Sequence, residues 1–135
     1  MRRMLSLLLL VSLFAVPAFA VGPVVGSTCK FEWTEPQTNT NGSNVTDLAE
    51  YRLYISQTAG SYGSTPAKII PAPLADPAAA SVLQTACPAG IPEGQSYAVM
   101  TAVDVAGNAS VFSNEAPFVF DTVSPGSPVQ LTPKK

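Results

Sequence analysis

Large and polar side chains alternate one by one along several short stretches of this chain. In Cys29-Lys30-Phe31-Glu32-Trp33-Thr34 the large or apolar residues take every second position, with polar ones between them. A period of two places one set of side chains on each face of a strand, so this stretch reads as a strand with one buried face. Tyr51 to Ser56 repeats the pattern: Tyr51, Leu53 and Ile55 face inward, whereas Arg52, Tyr54 and Ser56 face outward. Tyr97 to Asp104 is more continuously apolar, as expected of a central strand. Val111-Phe112 and Pro117 to Phe120 offer a last strand, bent where Pro117 removes a ladder donor. A further edge-adjacent strand is expected around Ala80 to Ala86. No long stretch of the chain after residue 20 carries apolar residues at helical spacing.

The segments between these runs carry turn chemistry. Gln37 to Asp47 is a polar loop around Asn41-Gly42, and Thr58 to Pro66 is a second Gly/Ser-rich turn. Asp104 to Ser110 holds Gly107-Asn108 and reads as the hairpin loop between two long strands. Pro71 to Ala80 combines alanines with prolines, which predicts an irregular connection with at most one helical turn. Short strands separated by turns at this spacing predict an all-β antiparallel sandwich. The segment 122–135 is a proline-rich tail with an extended or flexible character.

The first twenty residues change the picture of compartment and charge. Arg2 and Arg3 precede an apolar run from Met4 to Val16, and Ala18-Phe19-Ala20 has the form of a cleavage site. Pro17 interrupts the run short of the roughly 20 residues a spanning helix needs, so a secretory signal peptide over 1–20 is expected. Val21 follows it rather than a cysteine, and the mature chain is expected to be lipid-free, without membrane insertion, and periplasmic or extracellular. The mature chain keeps five basic side chains (Lys30, Arg52, Lys68, Lys134, Lys135) against nine acidic ones, a net charge of −4. With no basic patch to neutralise a phosphate backbone, nucleic acid is not an expected partner. Domain boundaries follow as signal peptide 1–20, one sandwich domain 21–121 and the tail 122–135.

Cys29 and Cys87 are the only cysteines, and an even count in an exported chain suggests a structural disulfide. Two free buried thiols are the alternative. A closed zinc site is not expected from two cysteines in a chain without histidine.

Four segments together resemble the fibronectin type III domain in its exported bacterial form. Phe31 to Pro36 (FEWTEP) is similar to that family's tryptophan-bearing second strand, and Asp47 to Ser56 to its third. Ala102 to Glu115 resembles the sixth strand, its hairpin and the start of the seventh, and Asp121 to Leu131 the linker that follows. The resemblance implies a seven-stranded immunoglobulin-like sandwich whose first, second and fifth strands share one sheet. It further implies that Cys29, at the start of strand two, lies near Cys87, at the end of strand five. Tyr97 stands one residue closer to Asp104 than the family pattern has it, so a bulge or register shift is expected nearby.

Catalysis is not expected. The absence of histidine removes the commonest base, and no phosphate loop or nucleophile elbow is present. No cofactor is expected. Glu32 and Glu35 flank Trp33 but read as solvated charges, with Trp33 in the core. Asp104 and Asn108 read as closing their hairpin through side-chain bonds rather than holding calcium. Tyr54, outward by alternation, and Tyr62, in a Gly/Ser loop, are the candidate ligand contacts. The expected function is a non-enzymatic module binding protein or polysaccharide at or outside the cell envelope. A structural spacer or assembly subunit is the alternative.

Overall fold

The computed structural model describes residues 22–72, 81–127 and 132–133. The expected signal peptide, most of the Pro71–Ala80 connection, and tail residues 128–131 and 134–135 lie outside the described residues. Among these residues the chain is all-β. Its strands are β1 (Val24–Val25), β2 (Lys30–Thr34), β3 (Leu48–Ser56), β4 (Lys68–Pro71), β5 (Val82–Ala86), β6 (Gly94–Asp104) and β7 (Ala116–Phe120). They form a five-stranded sheet in the order β1-β7-β6-β3-β4 and a two-stranded sheet of β2 and β5. The alternation read from the sequence governs both. Tyr51 and Leu53 of β3 point at the small sheet and are 2% and 1% exposed. The core beneath them holds Leu53, Ile91, Ala98 and Phe118 at one end and Val45, Leu48 and Tyr51 at the other. Two edge-on aromatic contacts span the sheets, Phe31 on Phe118 at 5.5 Å and Trp33 on Tyr51 at 5.1 Å between ring centroids.

Tyr97, where a bulge or register shift is expected, sits in regular register opposite Ser56 and Pro117, and the β3–β6 pairing slips instead at its far end. Leu48 pairs with Asp104 but Glu50 with Val103, leaving Ala49 as the extra residue of a bulge. Cys29 and Cys87 are joined in a disulfide, their Cα atoms 5.5 Å apart, where β2 begins and β5 ends. The Cys87 N–H donates to the Cys29 carbonyl at 3.0 Å, so the bond links directly opposed residues of neighbouring strands.

The first strand departs from the arrangement the resemblance implies. β1 does not join β2 and β5; it pairs in parallel with β7, Val24 opposite Val119 and Val25 opposite Phe120. The Val119 and Asp121 N–H groups donate to the Pro23 and Val25 carbonyls, each at 2.9 Å. Gly22 permits the approach, since a Cβ there would run into the Pro117 carbonyl. The last strand is also shorter than expected: Val111 and Phe112 lie outside β7, and a bulged segment replaces its first half.

Candidate functional site

Moving β1 to the other sheet leaves an imbalance with a functional consequence. Five strands at normal spacing span about 24 Å and two span about 10 Å, so the small sheet cannot cover the inner face of the large one. A groove of about 470 Å³ opens alongside β2, with Phe31 and Trp33 on one wall, Leu53, Ala98 and Met100 on its floor and the segment 110–116 on the far side. β5 contributes nothing to it.

The backbone of β2 makes this groove more than a hollow. Residues 29 and 35 bond towards β5, through the Cys29 carbonyl and through the Glu35 N–H donating to Ser81 at 3.0 Å. By the alternation of an antiparallel ladder, Phe31 and Trp33 do the same, and the N–H and C=O groups of Lys30, Glu32 and Thr34 face the open side. Among the described residues they have no strand partner. The opposite edge of the small sheet differs, because the Lys68 ammonium reaches across and donates to the Ala86 carbonyl at 2.8 Å.

Glu35, read from the sequence as a solvated turn residue, is a correction: it is 3% exposed. The β2 alternation runs one residue further than expected, so Phe31, Trp33 and Glu35 all face inward. Continuing the period of two by one step would have found it. Its Oε1 accepts a bond from the Tyr51 hydroxyl at 3.4 Å. Burial and then the neighbouring Glu35 carboxylate push the Tyr51 hydroxyl up to about 12, with the Trp33 indole opposing them. Glu32 faces solvent as expected, accepting from the Gln84 amide at 2.7 Å.

Across the groove, the return from the hairpin is irregular. β6 advances five residues from Val103 to Ala98 while the returning chain advances seven, from Ala109 to Ala116. Two serines absorb the mismatch. The Ser110 and Ser113 hydroxyls accept from the Ala102 and Met100 N–H groups, each at 3.0 Å, where backbone carbonyls would serve in a regular ladder. The extra residues push Val111 and Phe112 outward, to 88% and 47% exposure.

Phe112 explains a second correction. Tyr54 lies on the outer face as its alternation required, but it is only 9% exposed, because the Phe112 ring stands edge-on over it at 5.3 Å. Tyr62 meets the other side of Phe112 at 5.5 Å. Its hydroxyl donates to Glu115, which also accepts from the Gly60 N–H at 2.7 Å. Burial, then this bond, raises the Tyr62 hydroxyl well above its ordinary range, and the same bond lowers the Glu115 carboxyl. The two candidate tyrosines therefore belong to one cluster organised by Phe112, which the sequence reading placed in a strand. Tyr62 and Phe112 are its accessible members.

Asp104 closes its hairpin. Its carboxylate accepts from the Asn108 N–H and from the Asn108 amide, both at 2.8 Å, which lowers its pKa. Comparison of the chain with family models, with curated proteins and with solved structures gives no match.

Proposed function

We propose that this chain is an exported, non-enzymatic interaction module of the fibronectin type III kind, and that it takes up protein as an extended segment laid along β2. The open β2 edge above an apolar groove carries this reading. An added strand gains backbone hydrogen bonds from the edge and specificity from alternate side chains entering the groove. The family reading draws support from β2 and β5 sharing one sheet while β3, β6 and β7 share the other. Export draws support from the leader-like composition of residues 1–20.

The exposed Phe112 beside the half-buried Tyr62 favours a second reading, polysaccharide binding by aromatic contact. Retention of the mature chain, 21–135, on immobilised envelope proteins and on insoluble polysaccharides separates the two. Glu32→Pro removes an N–H that faces the open side without touching the β5 ladder, so it is expected to abolish protein retention. Tyr62→Ala, outside the groove lining, is expected to leave protein retention intact and to abolish any retention on polysaccharide. Retention on neither material would sink both readings and leave a spacer.

A further inference from the structure

The occupant of the groove is written in the chain itself. Building on the extended-segment reading, we infer that the strand laid along β2 is Val129-Gln130-Leu131-Thr132 from the tail of a second copy, so that two copies exchange tails.

The tail has the pattern such a donor needs. Val129 and Leu131 stand two residues apart with polar Gln130 and Thr132 alternating, which places both apolar side chains on one face of a strand. Phe31 and Trp33 have the same spacing on β2, so a strand beside them brings Val129 and Leu131 over the same groove. Pro128 and Pro133 bound the segment, and every residue between them keeps its N–H for pairing. The free backbone groups of Lys30, Glu32 and Thr34 match a donor of this length.

The described start of the tail points outward from its own domain. Residues 121–127 are all exposed, including the apolar side chain of Val123 at 72%. Its first residues are tied down, Asp121 by its N–H bond to the Val25 carbonyl and Thr122 by bonds to the Glu93 carboxylate, and the Val123 N–H makes a local bond to the Asp121 carboxylate. Pro125 favours an extended path for this described stretch.

Charge gives the second copy its complementarity. From residue 21 to 133 the chain carries nine acidic side chains and three basic ones, whereas the donor segment is followed by Lys134 and Lys135. Each tail brings two positive charges to an acidic neighbour, and added salt weakens the exchange. Reciprocal exchange about a two-fold axis engages both tails at once, so two short strands act together.

Trp33 is the only tryptophan and lines the groove, so its emission reports occupancy directly. The experiment follows sedimentation and Trp33 fluorescence of the mature chain, 21–135, over a wide concentration range. The wild-type chain is expected to associate, with a Trp33 emission shift that tracks the rise in mass. The tail variant Val129→Asp/Leu131→Asp and the edge variant Glu32→Pro are each expected to stay monomeric. Mixed together, one supplies an intact groove and the other an intact tail, so one of the two exchanges forms and association is expected to return in part, weaker than in the wild-type chain. That recovery also shows that neither variant had merely misfolded. A wild-type chain that stays monomeric throughout overturns the exchange. Association lost in Glu32→Pro but untouched in the tail variant overturns the tail as donor and leaves the extended-segment reading standing. Association indifferent to both overturns the two together.

Discussion

Replacing Cys29 and Cys87 by serine is expected to lower the unfolding free energy by about 4 kcal/mol, measured by denaturant titration of the mature chain. The bond closes a loop of 58 residues, and its principal effect is to restrict the unfolded chain. Its position adds to the effect. Among the described residues β2 and β5 pair only with each other, and a two-stranded sheet is marginal unless something else holds it. Here the aromatic contacts from Phe31 and Trp33 hold one face, and the disulfide ties the end where β2 begins and β5 finishes. The same sheet provides the open edge, so the serine variant is also expected to lose groove occupancy before it unfolds globally. A loss below about 1 kcal/mol would show that the bond restrains little of the unfolded ensemble.

The elements whose faces are decided by burial were legible in the sequence. β2, β3 and β6 alternate, or are continuously apolar, because each presses a face on the core, and turn residues mark where they stop. β4 was missed because Lys68-Ile69-Ile70-Pro71 offers only four residues beside a proline-rich stretch. β1 was missed for a deeper reason. A two-residue strand has no period, and its choice of β7 over β2 depends on the close approach of Gly22 to Pro117, a contact between segments far apart in sequence. The groove exists because of that choice. The candidate site was therefore hidden even though most of its walls were not. Tyr54 and Tyr62 show a similar limit. Their placement was readable, but the two-residue excess that lays Phe112 over Tyr54 emerges only when Val103 and Ala98 are paired with Ala109 and Ala116.

Tyr51→Ala is expected to cost about 4–5 kcal/mol, and Tyr51→Phe about 1–2 kcal/mol, in the same denaturant assay. The alanine variant empties the space between Leu48 and Trp33 at a site only 2% exposed and removes the edge-on contact with the indole. The phenylalanine variant keeps that packing and removes only the hydroxyl, leaving the buried Glu35 carboxylate without its bond from Tyr51. Alkaline pH separates the hydroxyl from the ring. Because the Tyr51 pKa rises from 10.0 in the unfolded chain to about 12 in the folded one, its contribution is complete below pH 10 and is lost as pH climbs towards 12. Wild-type stability should therefore fall across that window, and Tyr51→Phe should fall less steeply. The decline that remains belongs to Tyr62, whose pKa is raised in the same direction by burial and Glu115, and Tyr51→Phe/Tyr62→Phe should flatten it. Equal slopes in wild type and Tyr51→Phe would mean that the hydroxyl meets solvent in the folded chain. Glu35 would then have water rather than Tyr51 as its partner, and the inner end of the groove would be wet.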